Sequence, residues 1–591
     1  MLNLAAVHES APSVVRGVAC SFGTGSCAGE IALAYGSGTL AVLRSVANPT
    51  NIIKSFGHSH KVTAVRLSPC GRLCASADEA GNLRVWNTDP SSTASAKEFQ
   101  PLSAPIRDVS WSHDSERIVV AGEGRSTRAV VINAQMGTTM GELAGITGDI
   151  TSCDFRKDRP FRIAAGSSDS MVGFYEGPPF KFMNSVKNEH KAKVNCVRYS
   201  PDSSVVASVS GASSILLQDG KTGEVVRKIE TTHTGTIYAL AWSTDGTYLA
   251  TASADKTVRC WATADGSCKF SATMGNTVRD MQLGVACVPS GWVAINLAGD
   301  LTFIDVDGGA TRTVRGFDKS VKALRADADG TLVAANFEGR VLAFPSTGDA
   351  IPYTGKEPSF VEGGASCGTG MMLWTGERAV FAAAATKTLE QSLETKALLG
   401  AALGDDAFVA AAGTSLVVFR NGKEVAKASL PKRASAIAAA ATSVAVATDS
   451  GVCLFTVAGD SIAATVTIDA QPAHRSDISA IAISADGSRI ATGDTTQIIA
   501  VWNAATGEAV HTELGFHRSR INCLSFAPAS TNLLASGGND NAIIVWNLEG
   551  KTHHKVANAH NGPVTALVFM PDGTLASGGH DGCVKRWNIG A

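Results

Sequence analysis

The sequence predicts an all-β protein made of two linked seven-bladed β-propellers, about fourteen blades in all, and three observations carry that expectation. First, a Trp-Asn pair recurs at Trp86-Asn87, Trp502-Asn503, Trp546-Asn547 and Trp587-Asn588, with a variant at Trp261-Ala262. The last three Trp are 44 (546−502) and 41 (587−546) residues apart, within the period of about 40–45 residues that marks four-stranded blades. Second, the earlier gaps of 175 (261−86) and 241 residues (502−261) amount to about four and about six such periods, and one degenerate unit before Trp86 brings the count to about fourteen. Third, 59 glycines in 591 residues suit a β chain with many tight turns.

Taken in order, the units of the first ring fall near residues 14–56, 57–100, 101–143, 144–187, 188–231, 232–275 and 276–316. Those of the second fall near 317–357, 358–395, 396–431, 432–470, 471–514, 515–556 and 557–591. The domains expected are therefore 14–316 and 317–591. The first unit supplies four strands of its own, near 14–22, 30–36, 39–46 and 51–56. The last unit stops after Trp587-Asn588-Ile589 without a fourth strand. An unpaired strand edge is a liability, so residues 1–13 are expected to cross over and close that final blade.

The clearest unit runs from His233 to Trp261. It opens on a His, alternates through Ile237, Ala239 and Ala241, turns at Ser243-Thr244-Asp245-Gly246, and ends in Val258-Arg259-Cys260-Trp261. Period-2 alternation between Gly and Asp turns is the mark of strands. The same layout recurs from His517 to Trp546 and from His560 to Trp587, and in all three an Asp stands six residues before the Trp: Asp255, Asp540 and Asp581. These units resemble the WD-repeat family, in which the His, the turn Asp and the Trp join one hydrogen-bonded network inside a blade. The repeats account for every such His–Asp pair without catalysis. The stretch 376–445 is Ala-rich and lacks a Trp marker, and 386–403 passes for a helix by propensity. It is kept as strands because the blade count must close.

Composition narrows the function classes. A formal net charge of −2 gives no electrostatic argument for nucleic acid or an anionic membrane as partner. No run approaches 18 uninterrupted apolar residues, and the N-terminus lacks a basic segment followed by an apolar one, so neither a spanning helix nor a signal peptide is expected. The 13 Cys form no C-x-x-C pair. Several, such as Cys74, Cys196, Cys260 and Cys523, sit in strand patterns as buried reduced thiols of a cytoplasmic protein. No phosphate loop, H-E-x-x-H or G-x-S-x-G elbow occurs, and His190, His553, His554 and His560 form no metal set. Neither an enzyme nor a cofactor is expected.

Two segments break the repeat. In Gly122-Glu123-Gly124-Arg125 a charged, Gly-flanked turn replaces an ordinary strand connection. In Phe174 to Phe182 (FYEGPPFKF) Tyr175 takes the slot that Trp holds elsewhere, and two prolines fix an extended loop that presents Phe180, Lys181 and Phe182. Two readings stand for the rings: interface anchors on a pre-set loop, or side chains packed between blades. GEGR, RPFRIAAGSSDS (159–170), EGPPFKF (176–182) and VNCVRYSPD (194–202), together with the blade count, resemble the actin-interacting protein 1 family of WD-repeat proteins across essentially the whole chain. That resemblance implies a cytoplasmic, monomeric actin regulator of the actin cytoskeleton, which promotes severing and disassembly of filaments decorated with actin-depolymerising factor/cofilin and caps barbed ends. It carries Glu123, Asp169, Phe180, Lys181 and Phe182 over as actin/cofilin-binding residues. The chain departs from the family at Ser126 and Ser168, where charged residues are common. Repeat architecture alone leaves a generic WD-repeat scaffold for another multiprotein complex as the alternative.

Overall fold

The computed structural model describes residues 2–590 apart from 9, 28, 50, 93, 359, 368–369, 376–377, 395–398, 404–406, 421–422, 441, 450 and 472, and leaves the side chains of 367 and 390–394 undescribed. Among the described residues the strands form fourteen four-stranded antiparallel sheets, and the chain divides into two compact units, Ala11–Arg315 and Met1–Ser10 with Gly316–Ala591. Each unit holds seven sheets and is a seven-bladed propeller.

Every blade but one is a plain meander. In several blades the innermost strand is apolar and rich in β-branched residues, as in Ile106–Trp111, Ile150–Phe155 and Val194–Tyr199. Near its start the register slips by one residue in most blades, for example between Ile106 and Asp108, Ile150 and Ser152, and Val194 and Cys196. Such a bulge sharpens strand twist, which a blade needs to fan away from the axis. The extra residue also joins neighbours. Thr151 Oγ1 donates to the Val194 carbonyl, Asn195 Nδ2 to that of Ile237 (2.7 Å), and Asn522 Nδ2 to that of Val564 (3.0 Å). Between blades the apolar faces pack into clusters shared by two neighbours; Val119, Val131 and Leu143 of the third blade meet Phe155, Ile163 and Tyr175 of the fourth.

Both rings close on themselves. In the first, Thr24 Oγ1 donates to the Cys287 carbonyl at 2.9 Å and Cys20 N to that of Leu283 at 3.0 Å. In the second, Thr565 Oγ1 donates to the Val321 carbonyl at 2.5 Å. The last blade has three strands from 564–589, and Leu2–His8 lies antiparallel to Val584–Ile589 as its fourth, with Leu2 opposite Ile589 and His8 opposite Val584.

One local expectation changes and one holds against helix propensity. Residues 14–22 are not a strand: Val18 N bonds back to the Val15 carbonyl, Gly17 has φ +85°, and the innermost strand of the first blade is Gly23–Cys27. Left-handed backbone at Gly17 breaks the extended run. Of the Ala-rich segment 386–403, Thr388–Glu394 and Leu399–Leu403 are strands, while 395–398 lie outside the described residues. Burial outweighs helix propensity there, since Ala401 and Leu403 are enclosed by neighbouring blades.

Candidate functional site on the third and fourth blades

The regular blades show what the fourth one lacks. In the blade of Trp261, His233 Nδ1 meets Asp255 Oδ2 at 2.8 Å and His233 Nε2 meets Thr251 Oγ1 at 2.9 Å, while Trp261 Nε1 donates to the same hydroxyl at 2.9 Å. Burial pushes the Asp255 carboxyl up, yet the bonds from His233 and Thr257 outweigh it and hold it well below the usual range. His517, Asp540, Ser536 and Trp546, and His560, Asp581, Ser577 and Trp587, repeat the arrangement. Two further networks, His58–Asp78–Ser76–Trp86 and His474–Asp494–Thr492–Trp502, place the Asp eight residues before the Trp. A search at the six-residue offset misses them, although the opening His and the Trp were available as signals. All these imidazoles are buried and spent on cross-links, which is structural chemistry.

In the fourth blade the network has come apart. Thr147 stands in the His slot, Ala165 in the Ser/Thr slot and Tyr175 in the Trp slot. Tyr175 is fully buried, burial pushes its phenol up, and its hydroxyl finds no hydrogen-bond partner among the described residues. Asp169 is exposed but keeps its turn role, accepting from Thr147 Oγ1 (2.8 Å), Gly148 N (3.0 Å) and Ser167 Oγ. Partial burial works against the charge, and these donors overcome it, so the carboxyl is held below its ordinary value.

The turn of the third blade is shaped by its glycines. A Cβ on Gly122 would stand 2.2 Å from the Pro105 carbonyl oxygen, and one on Gly124 2.2 Å from that of Thr127. Between them Glu123 pairs with Arg107, which donates from Nε at 2.8 Å. Arg107 is the bulged residue of the innermost strand, so bulge and turn hold each other. Arg125 and Ser126 beside them are exposed.

The segment 176–182 differs from its expected form. Phe180, expected on the presenting loop, is 1% exposed. It adopts φ +65°, turns back between the third and fourth blades, and meets the Phe155 ring edge-on at 5.7 Å. The turn lies so close to the outer strand of the third blade that a Cβ on Gly141 would fall 2.0 Å from the Pro179 carbonyl oxygen. Ring burial wins because the neighbouring blade offers an apolar slot that solvent does not. Lys181 is exposed, and Phe182 is 41% exposed with its ring edge on Tyr175 at 5.7 Å. Met183, which the sequence reading passed over, is exposed beside it.

Topology sorts the five residues onto different places. Glu123 and Asp169 both follow second strands, Arg117–Gly122 and Arg162–Ser167. The 177–180 turn joins a third strand, Val172–Glu176, to the outermost one, Lys181–Val186. Successive connections of a meander alternate ends, so Glu123 and Asp169 share one face of the ring. Lys181 and Phe182 begin at the opposite face and run along the outer rim. Among the described residues no group of three or more His, Cys, Asp or Glu could hold a metal, and no helix is long and apolar enough to cross a membrane.

Fourteen such blades, five of them cross-linked by a His–Asp–Ser/Thr–Trp network, define a double propeller of the WD-repeat class. The family model for the WD domain, G-beta repeat, matches residues 50–87, 183–219, 223–262, 466–503, 507–547 and 551–588. The chain is 31% identical to WD repeat-containing protein 1 of Xenopus tropicalis over 99% of both chains. It is 31% identical to actin-interacting protein 1 of Drosophila melanogaster over 94% of this chain and 93% of the relative, and 31% identical to actin-interacting protein 1 of Caenorhabditis elegans over 99% and 98%. The chain belongs to the actin-interacting protein 1/WD repeat-containing protein 1 family.

Proposed function

We propose that this chain is a non-catalytic, actin-binding regulator that promotes severing and disassembly of filaments decorated with actin-depolymerising factor/cofilin, and that it caps the new barbed ends. The observation that carries this reading is the near full-length match to relatives named for interaction with actin. Glu123, Asp169, Lys181 and Phe182 are the contact residues of this proposal, all at least partly open to solvent. Phe180 acts indirectly, as the anchor that sets the position of Lys181 and Phe182.

No covalent step is involved. Cofilin-decorated filaments are less tightly packed than bare ones, and a protein that binds the loosened state better shifts the equilibrium toward breakage by that difference in affinity alone. Contacts on one face and on the outer rim suit a polymer that offers several subunits at once, where linked contacts raise avidity. The protein works as a monomer in the cytoplasm, on the actin cytoskeleton. Co-sedimentation with filaments and imaging of severing, each with and without cofilin, test this. Cofilin-dependent binding and faster severing are expected. Severing unchanged by the protein refutes it, and recovery of an unrelated complex without actin or cofilin favours the scaffold role.

A further inference from the structure

The axial channel of the first ring holds a cavity of about 640 Å³ lined by the innermost strands of all seven blades. Its charged and aromatic wall includes Arg66, Lys157, Arg198, Phe22, Trp111 and Trp242. Behind the wall, in a small adjoining pocket that Arg198 also lines, Asp108 receives Arg66 Nη2 (3.1 Å), Arg198 Nη1 (2.8 Å), Ser152 Oγ (2.9 Å) and the amides of Val109 and Cys153. In the cavity wall Asp154 receives Lys157 Nζ (2.8 and 2.9 Å), Ser110 Oγ (2.7 Å) and the Tyr199 amide (2.9 Å).

The two carboxylates are thus saturated, while the cations are not. A guanidinium has five N–H donors. Among the described residues every side-chain bond of Arg198 leaves from Nη1, and that of Arg66 from Nη2. The remaining donors of both groups, with Lys157 at 41% side-chain exposure, are what the cavity has left to offer. Three cations against Asp154 in the wall and Asp108 behind it leave this cluster with one net positive charge. Arg66 and Arg198 are already held in place by Asp108, so binding an acceptor costs little further ordering. The second ring shows that this is not a requirement of the fold. Its channel cavity of about 460 Å³ is lined mostly by Gly, Ala, Ser and aliphatic side chains, with Trp374, Asn522, Cys523 and Phe526 among them and Lys322 the one charged residue of the described lining.

We propose that the channel mouth of the first ring binds a small oxyanion, a molecule carrying phosphate or carboxylate, seated on Arg66, Arg198 and Lys157 with its apolar part against Trp111 and Trp242. The cavity volume lies in the range that takes small-molecule ligands. The proposal does not depend on the actin reading.

Isothermal titration and thermal melting of the full chain with inorganic phosphate, citrate and AMP test it, with sodium chloride at matched ionic strength as control. Saturable binding at roughly millimolar affinity or tighter, with a raised melting temperature, is expected in at least one arm, and the arms separate phosphate from carboxylate recognition. Lys157→Gln is expected to weaken that binding about tenfold, a typical loss for one charge-assisted bond. Arg66→Lys, which keeps the charge but loses the fork, is expected to weaken it as well and carries the test if Lys157→Gln does not fold. No binding in any arm, an equal effect of chloride, or unchanged affinity in the folded variants overturns the proposal.

Discussion

Phe180 and Phe182 are two residues apart in one short segment, and the structure assigns them opposite consequences on truncation. Phe180 is 1% exposed in a cluster built from two blades. Phe180→Ala empties an enclosed slot between well-packed strands, and such changes cost about 3–5 kcal/mol. Phe182 is 41% exposed, and its removal opens no closed cavity. At roughly 25 cal/mol per Å², the roughly 60–100 Å² of ring that Ala no longer covers amounts to about 2 kcal/mol as an upper estimate. The measurement is urea unfolding combined with hydrogen exchange of the 163–175 amides, so that the loss is located in the fourth blade. The companion assay is cofilin-dependent co-sedimentation with actin. Phe182→Ala is expected to retain the fold and lose filament binding, whereas Phe180→Ala loses stability first and binding only as a result. Equal destabilisation by the two changes, or a larger effect at Phe182, refutes the packing argument. Full binding by a folded Phe182→Ala refutes its role as a contact.

Two other outcomes are expected. Burial, helped by the charge of Lys228, lowers the His190 imidazole from 6.5 to about 4, so the folded state resists a proton that the unfolded chain accepts. The associated stability is present above about pH 6.5 and is lost as pH falls toward 4. At 1.36 kcal/mol per unit it amounts to about 3 kcal/mol. Denaturant unfolding of the first ring between pH 7 and 4 checks this, and a slope unchanged by His190→Gln contradicts it. Removal of residues 1–8 strips the outer strand from the last blade. At about 0.5–1.5 kcal/mol per backbone bond, the second ring is expected to lose several kcal/mol and to self-associate through the bare edge at 584–589. A second-ring melting transition that does not move counts against that strand's contribution.

The parts legible in the sequence were those set by local chemistry repeated along the chain. His233, Asp255 and Trp261 stand at offsets dictated by turn and strand lengths, and so do their copies at 517–546 and 560–587. The networks of Asp78 and Asp494 escaped because an Asp at the end of a strand reaches the same His from a different offset. Glu123 stood out because its turn interrupts the pattern, whereas Asp169 occupies the ordinary turn slot and came only from the family resemblance.

The sequence by itself determined the repeat, its count and the strand alternation, because period and turn residues act within one blade. Tertiary structure alone decided where the odd residues go. Whether Phe180 meets solvent depends on the slot left by the neighbouring blade. Whether Glu123 and Phe182 share a face depends on the alternation of connections around a closed sheet. Whether Arg66, Asp108, Lys157 and Arg198 meet at all depends on ring closure, which brings residues from four blades to one axis. Spacing along the chain specifies a blade; only contact between blades specifies a surface or a cavity.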